Sequence, residues 1–536
     1  MLKRLFQTKT QTIASAAIIV ASFSVLSRVF GFIRDRILAG SFGASDTLDV
    51  YFAAFRIPDF LFQLVIVGAL SASFVPLFTK YYAHSEERAW ELTNKLLNLI
   101  ALFFGICTLV ALVASPWLAP LIGLGYSPEK QLAIAHMTRV MFLGQFFLAV
   151  SMVYGSVLQG AKRFFVYSAA PVLYNIGIIC GAVFLVPLMG ELGLAWGVVL
   201  GSALHFALQT IGVYALGYRY APIFVLRDPD VVYTFKHMLP RVMGLAVNQL
   251  NFLGMTMLAT LLATGSLTLL QFAYNLNFFS IGVIAVSYAV AAFPTFCELA
   301  QKNDLPGFTK SFSQAARQIL FFIVPATVLF IALRAQIVRV VLGAGQFDWP
   351  STIVTADTLG LFACSFFAQA LVFLLVRAYF AFEDTKTPFV VGFLAALMNM
   401  VLAYFAMKEF GVLGFGLAYS ISALFQMILL WIPLRRRVGT LHEWRMVRSG
   451  SVFLVSGAAC AVLTQASKFA VVHLVTLDTF FAVLLQGLVS GTIGLVAYFA
   501  VAYALKSEEM MTFVRGMHRR IFRKVQVHEE IVSEMG

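Results

Sequence analysis

Ser27-Arg28-Val29-Phe30-Gly31-Phe32-Ile33-Arg34-Asp35-Arg36 sets four charges into the first apolar stretch of the chain, which runs from about Thr12 to Leu38. An arginine near the centre of a bilayer costs roughly 3 kcal/mol on insertion scales. It persists where it faces water, a partner charge or an anionic ligand. The stretch is long enough to cross a membrane, so it predicts a helix that lines something polar inside the bilayer.

The rest of the chain fits that reading. Of 536 residues, 60% are hydrophobic and 12% charged, and the mean hydropathy is +0.88. Such a composition excludes a soluble globular protein and indicates a polytopic membrane protein. The formal net charge of +13 comes from basic residues spread over loops, which membrane topology explains without nucleic acid. Cys107, Cys180, Cys297, Cys364 and Cys460 all lie in apolar stretches and read as small buried hydrophobes, without zinc spacing or a disulfide framework. Lys3, Arg4 and Lys9 precede a span too long for a signal h-region, so the first helix is expected to stay as an anchor.

Windows of about 20 apolar residues recur along the chain and predict an all-α membrane protein of about fourteen transmembrane helices. With the N-terminus in the cytoplasm, Lys162, Arg163, Arg219, Arg227, Lys386 and Arg435 to Arg437 fall on the inner side, while little beyond Lys130, Arg334, Arg339, Lys408 and Lys468 falls outside. That bias predicts both termini in the cytoplasm. Phe74-Val75-Pro76-Leu77-Phe78 returns as Phe293-Pro294-Thr295-Phe296, and Ala161-Lys162-Arg163-Phe164-Phe165 returns as Arg377-Ala378-Tyr379-Phe380-Ala381. An offset of about 220 residues suits two six-helix lobes in parallel repeat, the organisation of secondary transporters. The expected division is an N-lobe over 1–217, a cytoplasmic linker over 218–235, a C-lobe over 236–437, a C-terminal helix pair over 438–505 and a basic cytoplasmic tail over 506–536. Arg515, Arg519, Arg520, Arg523 and Lys524 among apolar residues make that tail either an amphipathic helix on anionic headgroups or a solvated end.

No hydrolytic or metal site is expected. The eight histidines lack ligand spacing, and neither a phosphate-binding glycine loop with its lysine nor a nucleophile elbow is present. Transport outranks catalysis, and no cofactor is expected beyond coupling to membrane potential or a monovalent cation. Arg28, Arg34 and Asp35 are the leading site candidates: Asp35 can pair one guanidinium and leave the other for an anion, and the planar fork of arginine suits phosphate. The alternative is a buried ion pair that only locks helices. Asp49 and Arg56-Ile57-Pro58-Asp59 follow in the second span, where Arg56 is either another anion ligand or the partner of Asp59 or Asp35, and Pro58 bends the helix. Secondary site candidates are the amides of later spans, including Gln249, Asn275 and Asn399, which suit hydrogen bonds between helices more than contact with a ligand. Arg377 and Asp384, also secondary site candidates, stand at a predicted inner turn, where Thr387-Pro388 marks a helix start and Asp384 caps or pairs.

Taken together, Ser27 to Asp35, Phe42-Gly43-Ala44, Asp49, Phe52 to Pro58, Gly68-Ala69-Leu70-Ser71 with Phe74-Val75-Pro76, and Asp384-Thr385-Lys386-Thr387-Pro388 resemble the MurJ (MviN) family of lipid II flippases. That family belongs to the multidrug/oligosaccharidyl-lipid/polysaccharide exporter superfamily, and the resemblance spans nearly the whole chain. It implies a bacterial cytoplasmic (inner) membrane protein of fourteen helices that moves a polyprenyl-pyrophosphate-linked substrate, lipid II, by alternating access, with the lipid tail near the last two helices. Membrane lipids and other envelope-synthesis proteins are the implied partners. Carried over by position, Arg28 and Arg34 would bind the pyrophosphate with Asp35 orienting them, and Asp49 and Arg56 also match family positions. The chain departs from the family pattern at Gln63, Val67, Asn275 and Ser280. Where some members hold sodium, carboxylates are expected near Met255 and Ala403, and only Asn399 of that set remains. The other readings are export of a different polyprenyl-linked oligosaccharide or an amphiphilic drug, the drug disfavoured by the basic first span, and a non-transporting paralogue acting as an envelope-synthesis scaffold.

Overall fold

The structure, a computed structural model, describes residues 13–64, 74–225, 227–473 and 479–516. Val67, the Gly68 to Ser71 motif and the tail beyond residue 516 lie outside the described residues. In chain order the helices are α1 (Ile13–Phe42), α2 (Asp46–Phe62), α3 (Val75–His84), α4 (Glu86–Ile122), α5 (Pro128–Gly160), α6 (Phe164–Cys180), α7 (Val186–Met189), α8 (Leu192–Tyr214), α9 (Pro229–Ala259), α10 (Ser266–Ile281), α11 (Ser287–Gln301), α12 (Leu305–Ala332), α13 (Arg334–Leu342), α14 (Trp349–Ala363), α15 (Phe366–Ala381), α16 (Lys386–Phe410), α17 (Leu413–Val438), α18 (Glu443–Val472) and α19 (Phe480–Ala504).

Among the described residues, ten helical runs are long and apolar enough to cross a membrane, or eleven if α14 and α15, bent by 49°, form one span. Fourteen is therefore not reached by length and apolarity alone. α1, α2 and α9 are not among these runs, and the first two carry charges along their length: Arg28, Arg34, Asp35 and Arg36 on α1, and Asp49, Arg56 and Asp59 on α2.

Local chemistry explains where the helices begin. Ser85 accepts a hydrogen bond from the Arg88 N–H to start α4, with Glu86 and Glu87 in the first turn to meet the helix dipole. Asp228 accepts from the N–H groups of Asp230 and Val231 at the start of α9, with Pro229 in the first turn. Asp304 accepts from Gly307 N–H ahead of α12.

Two prolines inside helices are compensated across the bundle. Pro58 cannot donate to the Ala54 carbonyl, and Thr138 Oγ1 on α5 donates to that oxygen at 3.2 Å. Pro325 likewise releases the Phe321 carbonyl, which accepts from the Tyr498 hydroxyl at 2.9 Å. Gly177 of α6 and Gly181, just past its end, lie against Gly201 and Gly197 of α8 so closely that a methyl on Gly177 or Gly181 would meet backbone at 2.2 or 2.3 Å. This spacing of small residues lets two membrane helices touch main chain to main chain.

The helices pack into two compact units. The first holds Met1–Phe272, Val341–Thr355 and Ala396–Phe415, around a core that includes Phe74, Phe78, Leu96, Tyr154 and Tyr218. The second holds Ala273–Val340, Ala356–Ala395 and Gly416–Gly536, around Phe296, Phe308, Phe312, Phe366 and Tyr379. Both repeated Pro-Phe helix ends thus bury a phenylalanine, Phe78 in one unit and Phe296 in the other. A smaller cluster of Phe321, Phe453 and Tyr498 ties α12 to α18 and α19.

Candidate functional site

The charged turn of α1 meets α6, whose only carboxamide is Asn175. Arg34 Nε and Nη2 donate to Asp35 Oδ1 at 2.9 and 2.7 Å, and Nη1 donates to Asn175 Oδ1 at 3.1 Å. Asn175 Nδ2 in turn donates to the carbonyls of Ser27 at 3.3 Å and Pro171 at 3.1 Å, which fixes the orientation of the amide. A guanidinium has five N–H donors. Arg34 spends three on these partners and holds two more, with its side chain 23% exposed against 6% for Asp35. Six residues earlier on the same helix, Arg28 is half-buried.

The polar chain continues into α2. Tyr51 and Tyr174 lie within electrostatic range of Arg34, Tyr174 within range of Asp59, and Asp59 within range of Arg56. Arg56 is buried, donates to Gln271 Oε1, and stacks 4.0 Å over the Phe252 ring. An amide on α10 and a ring on α9 are thus among its partners. Gln63 donates to Asp59 Oδ1 at 3.5 Å.

Asp49 is buried, and its carboxylate accepts from Gly265 N–H at 2.8 Å, Thr268 N–H at 2.8 Å and Thr268 Oγ1 at 2.7 Å. It supplies to α10 what a capping residue supplies to its own helix. Two glycines allow the neighbouring turns to close on the α1–α2 turn. Gly265 has φ +86°, and a methyl there would sit 2.5 Å from the Ala44 carbonyl oxygen. Gly345 has φ +48°, and a methyl there would sit 2.2 Å from the Gly40 carbonyl, which itself accepts from Gln346 N–H at 2.9 Å.

The remaining predicted residues have neighbours of their own. Arg377 is half-buried, with its guanidinium 5.4 Å from the Phe293 ring centroid. Asp384 accepts from the N–H groups of Lys386 and Thr387 and from Thr387 Oγ1, so it caps α16, and Arg437 stands 3.8 Å away. Asn275 is half-buried on α10 beside buried Asn277, which accepts from Gln369 at 3.4 Å, and Gln249 is half-buried on α9.

Asn399 Nδ2 donates to Asn251 Oδ1 at 2.9 Å and meets Met255 Sδ at 3.2 Å, with Ala403 fully buried one turn on. Two amide oxygens and a thioether, with no carboxylate beside them, are too few hard ligands for a sodium ion, which takes several oxygens. Among the described residues no three His, Cys, Asp or Glu side chains are grouped to hold a metal.

Sequence reasoning did not single out Asn175, Thr268 or Phe252. Asn175 was signalled by being the lone carboxamide of an apolar helix; Thr268 and Phe252 carried no such mark.

A family model described as Lipid II flippase MurJ matches residues 38–485. The chain is 29% identical over 437 residues to a probable lipid II flippase MurJ of Vibrio cholerae, covering 79% of this chain and 83% of that one. It is 27% identical over 514 residues to a protein of the same description from Bdellovibrio bacteriovorus, covering 93% and 96%. Among solved structures, "Lipid II flippase MurJ, inward closed conformation" superposes with a TM-score of 0.74 at 24% identity, covering 91% of this chain and 98% of that one. An inward-facing multidrug resistance MATE transporter superposes with a TM-score of 0.67 at 16% identity, covering 80% and 99%.

Proposed function

The chain belongs to the Lipid II flippase MurJ family, and from that premise we propose that it carries lipid II from the cytoplasmic to the outer leaflet of the bacterial inner membrane by alternating access. The family is one of transporters, and its substrate is lipid-linked. Both termini lie in the cytoplasm in this reading, as the distribution of lysine and arginine requires.

Arg34 carries the proposal. Asp35 and Asn175 hold its guanidinium in place, and two N–H donors remain on a partly exposed side chain. A diphosphate offers oxygens at the spacing that such a fork binds. Arg28, on the same helix, adds a second positive charge for the same group. Asp35 and Asp49 are acceptors and cannot bind an anion directly; Asp35 orients Arg34, and Asp49 fixes α10 to α2. Arg56 stands at the far end of the polar chain and adds positive potential to it. Arg377, Asn275 and Gln249 are secondary candidates for contact with the substrate, while Asp384 caps α16 and Asn399 bonds Asn251.

The test is leaflet accessibility of labelled lipid II in proteoliposomes holding the full chain. Transfer of lipid II that is lost in Arg34→Ala and Arg28→Ala supports the proposal. Transfer of only another polyprenyl-linked oligosaccharide would replace the cargo, and no transfer of any lipid would leave a scaffold role.

A further inference from the structure

The segment joining α8 to α9 has no regular secondary structure over 218–225, and three of its carbonyls are turned toward α4. Asn94 and Asn98, one turn apart on α4, donate to its carbonyls: Asn94 to Arg219 at 3.1 Å, and Asn98 to Ala221 at 2.9 Å and Ile223 at 3.0 Å. Pro222 sits in a tight turn in which Ile223 N–H donates to the Ala221 carbonyl at 2.8 Å. The chain then returns, and Asp228 pairs with Lys95 at 2.6 Å while Asp230 accepts from the Tyr81 hydroxyl at 2.7 Å. Arg219 is thus level with Asn94, the turn is one helical turn further along α4, and Asp228 is back level with Lys95.

That direction along α4 leads into the membrane. A helix of 37 residues is about 55 Å long, well beyond the roughly 30 Å hydrocarbon core. The outward apolar surface of α4 begins at Leu102, Phe103 and Ile106, one turn past Asn98. The turn therefore points at the level where lipid contact starts. Beyond it Phe224 is 57% exposed and Val225 40%. Its acidic residues are spent on Lys95 and Tyr81, whereas Arg219 and Arg227 are exposed on either side of the tip. An aromatic tip flanked by arginines, with satisfied carbonyls behind it, matches the interfacial layer of an anionic leaflet.

We propose that the Ala221–Val225 turn is a membrane-surface wedge, with Phe224 and Val225 among the upper acyl chains and Arg219 and Arg227 on anionic phospholipid headgroups. This contact is independent of which lipid-linked cargo is carried. It is tested on the full chain with its five cysteines replaced by alanine, in nanodiscs of phosphatidylcholine alone or mixed with phosphatidylglycerol, carrying a spin label at Phe224→Cys or, as an exposed reference, at Glu87→Cys. The label at 224 should collide preferentially with oxygen and the label at 87 with a water-soluble nickel chelate. Each basic side chain near an anionic surface is worth roughly a fivefold bias, so Arg219→Gln with Arg227→Gln should lower the ratio of lipid-exposed to water-exposed label on the order of 25-fold in the anionic bilayer. Nickel access at 224 equal to that at 87 in both bilayers overturns the wedge, and an unchanged ratio in the double variant overturns the headgroup contact. Amide exchange of the segment 219–228 in the unmodified protein gives a second reading: it should slow when phosphatidylglycerol is added, and rapid exchange in both bilayers overturns the proposal.

Discussion

Asp49 and Thr268 are joined twice, since one carboxylate oxygen accepts from both the backbone N–H and the hydroxyl of Thr268, while the other oxygen takes the Gly265 N–H. A cap of this kind costs about 1 kcal/mol to remove when exposed, and each buried donor left without a partner adds about 1–3 kcal/mol. Asp49→Ala should therefore lower the thermal midpoint in detergent by several degrees. Asp49→Asn keeps an acceptor oxygen and should lose less. Equal midpoints for the wild type and Asp49→Ala would remove the capping role.

Removing one member of a fully buried ion pair costs about 3–5 kcal/mol; Arg34 is partly exposed, so the loss here should be smaller, and it falls on buried Asp35, left without its partner. Arg34→Ala should consequently destabilise the protein and abolish lipid II transfer. The double variant Arg34→Ala with Asp35→Ala should recover much of the stability and still fail to transfer. Transfer by the stable double variant would show that Arg34 only locks helices.

The charged first helix could be read from sequence because an arginine in an apolar stretch has few physical explanations. The helix start at Asp384 was legible from that residue and Pro388, and Ser85, Asp228 and Asp304 carry capping residues of the same kind. Long-range partners were not. Pro58 announces a bend, but nothing in its neighbourhood says that Thr138, eighty-four residues from Ala54, takes the released carbonyl. Asp49 carries the same acidic signal whether it meets a ligand or the end of α10, and only the fold decides between them. The repeat of Pro-Phe helix ends was visible, whereas the grouping of Val341–Thr355 and Ala396–Phe415 with the first unit depends on packing that no local pattern encodes.

The compensated prolines offer a stability test away from the site. Thr138→Val and Tyr498→Phe each strip the donor from a carbonyl that proline has already released. The net loss should be about 0.5–2 kcal/mol each, since membrane hydrogen bonds between helices are modest. Restoring the helical donor should make the partner dispensable, so Pro325→Ala with Tyr498→Phe should be more stable than Tyr498→Phe alone. Unfolding midpoints of the four proteins in that cycle decide it.

Asp228 gives a pH dependence with a definite sign. Burial pushes its carboxyl upward, but hydrogen bonds from Lys95 and from the Asp230 and Val231 N–H groups outweigh this and hold it below the ordinary carboxylate range. A carboxyl with a lowered folded pKa contributes stability above its unfolded value of about 3.9, and that contribution fades as pH falls through the folded value. The α8–α9 segment should stay equally protected from pH 5 to pH 8 and loosen only in stronger acid. Amide exchange corrected for its intrinsic rate should show that step in the wild type and lose it in Asp228→Asn.

Ion dependence follows from the meeting of α9 and α16. Asn399 turns its donor nitrogen toward Asn251 and Met255, and Ala403 presents a methyl where a carboxylate would be needed to neutralise a bound cation. A sodium ion entering there would find amide oxygens and a thioether but no carboxylate to neutralise it, a poor exchange for its shell of water oxygens. Replacing sodium by choline should thus leave the initial rate of lipid II transfer unchanged. Moving one charge through 100 mV is worth about 2.3 kcal/mol, enough to bias a cycle with no bound cation. Collapsing the membrane potential with an ionophore should slow transfer severalfold under the same conditions. A large fall in rate on removing sodium alone would require oxygen ligands elsewhere in the chain.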